Sequence, residues 1–247
     1  MDVFGLIGYP LSHSFSAKYF EQKFTQEEIQ AVYKNFEIDH LNKLLPLIET
    51  HQLKGFNITL PYKEKIIPYL TELDDSALIV GAVNCVKVRD NKRIGYNTDI
   101  FGFEKSLTHF FAQHSLNIHD YKALVFGTGG ASKAVCHVLQ NNQIDYLLVS
   151  RTPSLHSIQY HEVNEAILLS HQLLINTTPV GMYPHIDECL AIPYQFITPK
   201  HVAYDLIYNP AKTCFLKQCE LRTLLIKNGL EMLHIQAELS YQLFILP

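Results

Sequence analysis

Short apolar runs typical of β-strands alternate with amphipathic segments along the whole chain, and this alternation restricts the fold more than any other feature. Strand-like runs occupy residues 3–8, 32–38 and 55–59, and segments with helical spacing occupy residues 16–28 and 40–50. A regular change between period 2 and period 3.6 predicts βαβ units, whose strands are mostly parallel. The predicted fold class is therefore α/β.

The same alternation continues to the end of the chain and predicts two domains joined by a long helix over residues 99–113. Further strands are predicted at residues 82–88, 123–126, 146–150, 172–176, 201–205 and 223–227. We expect a first, mostly parallel α/β domain over residues 1–100 and a second α/β domain over residues 101–228. The remaining residues, 229–247, have helical spacing, and we expect this C-terminal helix to pack back on the first domain.

The composition argues against several classes of protein. Of the 247 residues, 47% are apolar and 18% are charged, which is ordinary for a globular protein and argues against disorder. The formal net charge of −4 argues against a nucleic-acid partner, because such binding depends on neutralising phosphates. No run approaches the ~20 apolar residues of a bilayer span, and the first residues lack the basic region of a signal peptide. We therefore expect no membrane partner and a cytoplasmic location.

Cysteine and histidine spacing gives no sign of a metal site. The five cysteines, Cys85, Cys136, Cys189, Cys214 and Cys219, form no CxxC pair, and an odd number cannot all be paired. Reduced thiols are the simpler expectation. The thirteen histidines show neither an HExxH motif nor a paired Cys/His arrangement, so no metal is predicted.

A glycine-rich loop joins the predicted strand at residues 123–126 to the helix that follows it. The loop contains Gly127, Gly129, Gly130 and Ala131. The first glycine permits a turn with positive φ, the second lets the backbone approach a pyrophosphate, and N–H groups at the helix start bind the anion. This context predicts a Rossmann-type, dinucleotide-binding domain. The alternative is a glycine turn that serves chain geometry alone.

The end of the next predicted strand indicates which dinucleotide is bound. An NAD enzyme usually carries Asp or Glu there to accept hydrogen bonds from the ribose hydroxyls. This chain has Ser150, Arg151 and Thr152 instead. A guanidinium cannot accept those bonds, but its planar fork suits a 2′-phosphate. The predicted cofactor is therefore NADP.

Polar side chains also follow the predicted strands of the first domain. Residues 8–16 hold a serine cluster with Ser14 and Ser16 before a helix, and residues 57–63 include Thr59 and Lys63. Ligands of open α/β sheets bind beyond the carboxyl ends of the strands. Helix capping by a serine and a solvated surface lysine are the alternatives for single residues. The coincidence of all these residues at strand ends favours a binding site.

Taken together, these motifs resemble the shikimate dehydrogenase family, and the resemblance covers nearly the whole chain. The segments that carry it are GYPLSHSFS (8–16), NITLPYKE (57–64), GAVNCV (81–86), NTDIFGF (97–103), GTGGAS (127–132), SRT (150–152), NTTPVGM (176–182), YDLIYNP (204–210) and GLEMLHIQA (229–237). The resemblance implies an enzyme with an N-terminal substrate domain and a Rossmann NADP domain. Its implied reaction is the reversible NADPH-dependent reduction of 3-dehydroshikimate to shikimate, on the route to chorismate and the aromatic amino acids.

The resemblance also implies roles for individual residues. Lys63 and Asp99 would form the catalytic pair at the reacting hydroxyl. The implied substrate-binding residues, besides that pair, are Ser14, Ser16 and Tyr208 at the carboxylate and Thr59, Asn84 and Gln236 at the ring hydroxyls. The implied cofactor-binding residues are Gly127, Gly129, Gly130 and Ala131 at the pyrophosphate, Ser150, Arg151 and Thr152 at the 2′-phosphate, Thr177 beside the adenosine and ribose, and Gly229 near the nicotinamide amide.

The sequence departs from the family pattern without losing a catalytic side chain. Ala17 stands where the family usually has Pro, Ser150 replaces a usual Asn, and Tyr19-Phe20 replace a typical His-Asn pair. Glu231 interrupts the commoner Gly-Leu-Gly-Met-Leu run, so we expect an effect on cofactor affinity.

The implied chemistry fits a lysine beside a carboxylate. Oxidation of a secondary alcohol sends a hydride to the nicotinamide while the hydroxyl proton leaves. A lysine ammonium can hydrogen-bond the developing alkoxide, and a neutral lysine can accept the proton. The sequence leaves open whether Lys63 acts as base or as donor.

Two other functions stay open from sequence alone. One is a quinate/shikimate dehydrogenase that uses NAD or both cofactors, although such an enzyme would favour an acidic residue in place of Arg151. The other is a dinucleotide-binding sensor without turnover, which would need neither Lys63 nor Asp99. Because no interface stripe stands out, the expected oligomeric state is a monomer or a homodimer.

Overall fold

The computed structural model describes residues 1–11, 15–152, 154–223 and 225–246. Its backbone separates into two compact units. The first contains Met1–Asp99 and the chain from Gln236 onward, and the second contains Ile100–Ile235. The sequence-based division placed residues 229–235 with the C-terminal segment, whereas the second compact unit extends to Ile235.

The elements alternate between strands and helices, as the periodicity predicts. The strands are β1 (Asp2–Gly8), β2 (Ala31–Glu37), β3 (Leu53–Ile58), β4 (Glu72–Leu73), β5 (Cys85–Arg89), β6 (Lys92–Tyr96), β7 (Ala123–Phe126), β8 (Tyr146–Ser150), β9 (Ser157–Gln159), β10 (Leu173–Asn176), β11 (Val202–Asp205) and β12 (Ile226–Lys227). The α-helices are α1 (Phe15–Gln26), α2 (Leu44–His51), α3 (Asp75–Val80), α4 (Thr98–Gln113), α5 (Gly130–Asn141), α6 (Glu165–Ser170), α7 (Cys214–Glu220) and α8 (Leu230–Ile245). Short 3-10 turns lie at Leu41–Lys43, Ile67–Tyr69, Ile118–Asp120, Tyr160–Glu162 and Tyr194–Phe196.

The first unit is built on a six-stranded mixed sheet with the order β2-β1-β3-β5-β6-β4. β1 pairs in parallel with both β2 and β3, and β4 pairs in parallel with β6. The β3–β5 and β5–β6 pairs are antiparallel, so parallel pairs outnumber antiparallel ones. β5 and β6 are joined by a tight hairpin at Asp90 and Asn91, whose positive φ angles of 49° and 61° match the twist that two-residue hairpins require.

Both faces of this first sheet are covered by apolar clusters. Side chains alternate along a strand, so Phe4 and Leu6 of β1 point to one face and Ile7 to the other. Phe4 and Leu6 pack with Phe20 of α1 and Phe244 of α8, whereas Ile7 packs with a second cluster. Strands buried on both faces carry apolar residues at successive positions, and β1 shows this pattern.

The second unit is built on a six-stranded sheet in which every pair is parallel, with the order β12-β11-β10-β7-β8-β9. Counted from its own first strand, this is the order 3-2-1-4-5-6 of a Rossmann sheet. The chain reverses direction across the sheet between β7 and β10, and ligands of such sheets bind beyond the strand ends at that point. The unit therefore has the topology that the glycine loop predicts.

The cysteines differ from the sequence expectation. Cys189 and Cys214 form a disulfide with a Cα–Cα distance of 5.2 Å, so the expectation of five reduced thiols is wrong for this pair. Their separation of 25 residues, with β11 between them, hides the contact from any short-range spacing rule. Cys85, Cys136 and Cys219 are free and buried.

Within the described ranges, no helix combines the length and the apolar character needed to cross a lipid bilayer. The same residues contain no group of three or more His, Cys, Asp or Glu side chains placed to hold a metal ion.

One carboxyl group is completely buried in the second unit. Asp205, at the carboxyl end of β11, accepts hydrogen bonds from Thr213 Oγ1 (2.6 Å), Asn176 Nδ2 (3.0 Å) and the Ile207 amide (3.0 Å). Burial raises its pKa from 3.8 to about 6, although these hydrogen bonds act in the opposite direction. A folded-state pKa above the unfolded value means that the folded chain holds the proton more tightly.

This shift predicts a pH-dependent stability difference between the wild type and Asp205→Asn. The contribution of the protonated carboxyl is complete below about pH 4 and is lost as the pH rises through about 6. Between these limits the wild type should lose on the order of 2–3 kcal/mol of unfolding free energy relative to the variant, since one pKa unit is ~1.4 kcal/mol. Urea unfolding of both proteins across this pH range measures the difference. A difference that does not change with pH would contradict the assigned pKa.

Candidate active site

A lysine and an aspartate form a close ion pair in the first unit. Lys63 Nζ lies 2.6 Å from Asp99 Oδ2, and the side chains are 18% and 8% exposed. Lys63 belongs to the turn after β3, and its carbonyl oxygen accepts a 2.7 Å hydrogen bond from the Val83 amide. Asp99 lies in the first turn of α4, where the helix dipole stabilises a negative charge. Two separate backbone segments, the turn after β3 and the first turn of α4, therefore hold the pair in place.

The free oxygen of Asp99 is oriented by a buried amide. Asn84 Nδ2 donates to Asp99 Oδ1 at 2.9 Å and to Thr98 Oγ1 at 2.8 Å. Asn84 Oδ1 in turn accepts from the Thr98 amide at 2.7 Å. A carboxylate with a cation on one oxygen and an amide on the other has little freedom to rotate. Asn84, predicted as a substrate residue, thus positions Asp99 in this structure.

Of the other predicted substrate residues of the first unit, Gln236 is hydrogen-bonded to this amide, whereas Thr59 and Ser16 contact other partners. Gln236 Oε1 accepts from Asn84 Nδ2 at 3.4 Å and from Thr98 Oγ1 at 3.3 Å, so the C-terminal helix contributes directly to the cluster. Thr59 follows β3 and is half-buried, and its amide donates to the Ile7 carbonyl at 3.0 Å. Ser16, in the first turn of α1, hydrogen-bonds to Tyr33. Ser14 lies outside the described residues.

A second layer of polar residues behind the pair escaped the sequence prediction. Tyr33 donates to Asn57 Oδ1 at 2.8 Å, and Asn57 Nδ2 donates to Ser240 Oγ at 2.9 Å. Ser240 Oγ lies 3.3 Å from Thr98 Oγ1, so this series of hydrogen bonds leads back to the residue that precedes Asp99. The only usable sequence signal was spacing, because Ser240 follows Gln236 by four residues and shares its helix face.

The glycine loop of the second unit has two glycines with different requirements. Gly127 follows β7 with φ of 109°, and a Cβ there would lie 2.6 Å from Thr177 Oγ1. At Gly129, the N-cap of α5, a Cβ would meet no atom of the described residues within 4 Å. The first glycine is required by the turn itself, whereas the second leaves open space above the helix start. That space is where a pyrophosphate would lie against the helix N-terminus.

The other parts of this loop fit the same purpose. Gly130 and Ala131 form the first turn of α5. Ser132, which replaces the usual third small glycine or alanine, donates to the Gly127 carbonyl at 2.8 Å and so closes the turn. Thr177, just after β10, donates from both its amide (3.0 Å) and its hydroxyl (2.6 Å) to the Phe126 carbonyl. The carboxyl ends of β7 and β10 are thus joined beside the loop.

The carboxyl end of β8 and the residue after it line a cavity of about 390 Å³. Ser150 and Arg151 form part of its wall, with Gln159, Tyr160 and His161 from the segment around β9. The Thr152 amide donates to Ser150 Oγ at 3.2 Å, which holds the turn, and Arg151 is exposed. An exposed guanidinium at the rim of a cavity can pair with a phosphate.

Two more predicted residues, Tyr208 and Gly229, belong to the second unit. Tyr208 is half-buried in the loop after β11. The Gly229 amide, just before α8, donates to the Ile207 carbonyl at 3.0 Å. Glu231, the departure from the family pattern, forms an ion pair with Lys227 (2.5 Å) and a hydrogen bond with His109 Nδ1 (2.9 Å). Desolvation acts to raise the pKa of Glu231, but its bonds to Lys227 and His109 outweigh it and hold the value below the usual range.

Comparison with known proteins identifies the family. Residues 6–86 match the family model described as the shikimate dehydrogenase substrate binding domain. A shikimate dehydrogenase (NADP(+)) of Methanococcus aeolicus is 36% identical over 256 aligned positions, which cover 97% of this chain and 90% of the relative. The chain belongs to the shikimate dehydrogenase family. The resemblance seen in the motifs is thereby confirmed.

Solved structures of the shikimate dehydrogenase family share this fold. Shikimate dehydrogenase 1 of Peptoclostridium difficile has a TM-score of 0.86 at 35% identity, and the match covers 99% of this chain and 91% of that one. Shikimate 5-dehydrogenase of Thermus thermophilus, solved in complex with NADP(H) and shikimate, has a TM-score of 0.85 at 26% identity, with 99% and 94% covered. The predicted α/β fold class with a Rossmann-type domain is confirmed.

The contrast between the two loop glycines predicts different effects of alanine. Gly129→Ala should leave the free energy of unfolding unchanged but weaken NADPH binding at least ~10-fold, because the new methyl group occupies the pyrophosphate space. Gly127→Ala should lower the free energy of unfolding by about 1–3 kcal/mol, because alanine is strained at positive φ. Denaturant unfolding and NADPH fluorescence titration measure both effects. Equal NADPH affinity of Gly129→Ala and wild type would contradict the placement of the pyrophosphate.

Proposed function

We propose that this protein is a shikimate dehydrogenase that catalyses the reversible, NADPH-dependent reduction of 3-dehydroshikimate to shikimate. The observation that carries the proposal is the 2.6 Å pair of Lys63 and Asp99. Lys63 falls within the residues that match the family's substrate-binding model, and Asp99 is bonded to Asn84 from the same stretch. A sensor without turnover would have no use for such a pair.

The pair supplies what the reaction needs at the substrate oxygen. The nicotinamide provides the hydride in the reduction and accepts it in the oxidation. As a carbonyl is reduced, its oxygen gains negative charge and then a proton. The Lys63 ammonium has three hydrogens, and its bond to Asp99 uses one of them. The others can point at the substrate oxygen, stabilise the developing charge and deliver the proton.

Asp99 serves this chemistry by fixing the direction of the ammonium. Its Oδ2 accepts from Lys63, while Oδ1 accepts from Asn84. A positioned donor costs no reorganisation when charge develops, which is where most electrostatic catalysis originates. We assign Thr59, Asn84 and Gln236 to the ring hydroxyls, and Ser14, Ser16 and Tyr208 to the carboxylate. Serine and tyrosine hydroxyls can donate hydrogen bonds to an anionic carboxylate, which supports the second of these assignments.

The cofactor assignment follows the geometry of the second unit. Gly127, Gly129, Gly130 and Ala131 would hold the pyrophosphate, supported by the open space at Gly129. Ser150, Arg151 and Thr152 would hold the 2′-phosphate, supported by the cavity beside Arg151. Thr177 would lie beside the adenosine and ribose, and Gly229 near the nicotinamide amide. The name of the Methanococcus aeolicus relative, which specifies NADP(+), supports the same cofactor.

Location and assembly are part of the same proposal. We place the enzyme in the cytoplasm, where NADPH is generated and used, and expect a monomer or a homodimer. Light scattering coupled to size-exclusion chromatography distinguishes these two states. A larger assembly would contradict the proposal.

The direct test follows the absorbance of the reduced nicotinamide, as NADPH or NADH, with four substrate and cofactor combinations. Purified protein should reduce NADP⁺ with shikimate and show much lower rates with quinate or with NAD⁺. Comparable rates with quinate and NAD⁺ would establish the dual-specificity alternative. Tight NADPH binding without turnover of either acid would establish a sensor and refute the proposed activity.

Removal of the ammonium should abolish most turnover. Lys63→Met is expected to lower kcat by ~10²-fold or more with a smaller change in the KM for shikimate, because the lost interaction is strongest in the transition state. Lys65→Met is the matched control, since Lys65 is exposed and lies two residues further along the same turn. It should retain wild-type kcat. Unchanged turnover in Lys63→Met would remove Lys63 from the mechanism.

Removal of the guanidinium should change cofactor preference. Arg151→Ser is expected to raise the KM for NADP⁺ by ~10-fold or more and to leave the KM for NAD⁺ within about 2-fold, because only NADP⁺ carries the 2′-phosphate. Arg89→Ser, at an exposed arginine of the first unit, serves as the matched control and should change neither value. An equal loss with both cofactors would assign Arg151 a structural role.

A further inference from the structure

Asp205 is a buried carboxyl group that has no cationic partner among its hydrogen bonds to the described residues. It is completely buried, at the carboxyl end of β11 in the second unit. Its two oxygens accept hydrogen bonds from Thr213, Asn176 and Ile207, which come from three different segments. A buried carboxyl costs folding free energy unless its bonds repay it, and the raised pKa shows that burial outweighs them here. Stability alone does not account for such a residue.

One hydrogen bond of Asp205 fixes the conformation of the segment after β10. Asn176 Nδ2 donates to Asp205 Oδ1 at 3.0 Å, which fixes the direction of the Asn176 amide. Asn176 Oδ1 then accepts from the Thr178 amide (3.0 Å) and hydroxyl (2.7 Å), and Thr178 Oγ1 accepts from the Val180 amide (3.2 Å). The bend at residues 176–180 therefore depends on one oriented amide. Thr177 lies in this bend, and its hydroxyl donates to the carbonyl of Phe126, the residue directly before the glycine loop.

A second bond controls the segment after β11. Asp205 Oδ1 also accepts from the Ile207 amide at 3.0 Å, which forms a tight turn over residues 205–207. The Ile207 carbonyl accepts from the Gly229 amide at 3.0 Å, and the Leu206 amide donates to the Asn176 carbonyl at 3.0 Å. The same carboxyl oxygen thus fixes the segment before α8 as well as the bend after β10.

The third hydrogen bond of Asp205 leads to neither of these two segments. Thr213 Oγ1 donates to Asp205 Oδ2 at 2.6 Å and accepts from the Leu216 amide as the N-cap of α7. This bond joins the carboxyl group to a helix and not to Thr177 or Gly229. It therefore provides an internal comparison, because its loss weakens the packing of α7 without releasing the other two segments.

We propose that Asp205 is a positioning residue for NADP, which holds Thr177 through Asn176 and Gly229 through Ile207 in their binding positions. The proposal rests on the proposed function, which assigns Thr177 to the adenosine side of the cofactor and Gly229 to the nicotinamide side. Asp205 does not itself touch the cofactor. Its two loop bonds share a single oxygen, so both ends of the binding surface are set by one side chain.

The chemistry of the site explains why the residue is an aspartate. Asp205 accepts three hydrogen bonds, and a carboxylate accepts without offering a donor that needs a partner. Asparagine can place its own oxygen where Oδ1 lies and keep the bonds from Asn176 and Ile207. Its amide would then face Thr213 Oγ1, which can accept as well as donate. Alanine loses all three bonds.

Three variants test the proposal through NADPH binding measured by fluorescence titration without shikimate. Asp205→Ala should raise the NADPH dissociation constant at least ~10-fold, and Asp205→Asn should stay within about 3-fold of wild type. Thr213→Val, the matched control, should lower the melting temperature but leave the dissociation constant within about 2-fold. If Asp205→Ala does not fold, Asn176→Ala is the alternative variant. Of the hydrogen bonds that Asp205 accepts, it removes only the one through which Asp205 holds the segment with Thr177, and it should also weaken NADPH binding.

Activity data add a second readout. The KM for NADPH of Asp205→Ala should rise in parallel with its dissociation constant, whereas kcat at saturating NADPH should stay within about 3-fold of wild type. Wild-type affinity in a folded Asp205→Ala or Asn176→Ala would overturn the proposal. Equal weakening by Thr213→Val would also overturn it, because general loosening would then explain the loss. Failure of the wild type to bind NADPH would instead refute the proposed function.

Discussion

The contact between Lys63 and Asp99 is the interaction around which the polar residues of the candidate site in the first unit are arranged. Removing two charges from water costs several kcal/mol, and their attraction offsets this only when the remaining polar atoms are also bonded. Asn84 meets that condition for Asp99, and the first turn of α4 adds its dipole. A buried pair of this kind contributes little net stability. Its retention is better explained by the direction it gives to the lysine ammonium.

The polar residues behind the pair, Tyr33, Asn57 and Ser240, also help to fix its position, although they are further from it. Asn57 joins Tyr33 of β2 to Ser240 of α8, and Ser240 reaches Thr98 beside Asp99. All buried side-chain polar atoms of the described residues have a hydrogen-bond partner. A fully satisfied network in a low-dielectric interior is rigid, whereas a partly satisfied one is costly. The geometry of the Lys63–Asp99 pair therefore depends on residues outside the pair itself.

Each unit contains a buried carboxyl group, and the two groups are stabilised by different partners. Asp99 has a lysine on one oxygen and an amide on the other. Among the described residues, Asp205 has only neutral donors, and burial raises its pKa. The first arrangement suits chemistry in which a charged donor faces the substrate. The second suits loops that must be fixed in place, because hydrogen bonds of defined direction hold backbone segments more specifically than a point charge does.

Much of the secondary structure could be predicted from the sequence, and the exceptions have physical causes. β7 and β8 match their predicted bounds because buried parallel strands are continuous apolar runs. The strands at Glu72–Leu73, Lys92–Tyr96 and Ser157–Gln159 were missed, since they are short or polar and lack the alternation that marks a strand. The predicted strand at residues 223–227 is shorter in the structure, where β12 contains Ile226 and Lys227. Antiparallel pairing in the first sheet was not predicted either, because periodicity carries no information on strand direction.

The predicted site residues show a similar division between what a sequence reveals and what it hides. Lys63 and Asp99 could be predicted as a pair because their residue types are those that the implied chemistry demands and they lie within recognisable motifs, and the structure places the two side chains in contact. Asn57 and Ser240 are 183 positions apart, so nothing in the sequence indicates that they touch. Asp205 lies within the YDLIYNP motif, but no sequence pattern indicates a role for it, because the proposed role arises from its bonds to Asn176 and Ile207. Positioning residues are defined by proximity, and proximity requires the fold.

The two loop glycines show how a structure separates the demands of the fold from those of a ligand. In the sequence, Gly127 and Gly129 are equivalent members of one motif. In the structure, a side chain at Gly127 would collide with Thr177 and strain the backbone, so the chain needs this glycine with or without a cofactor. Gly129 has an ordinary φ of −84° and empty space around its missing Cβ, so nothing in the described fold requires it. We therefore attribute the glycine at position 129 to the proposed close approach of the pyrophosphate and not to the fold.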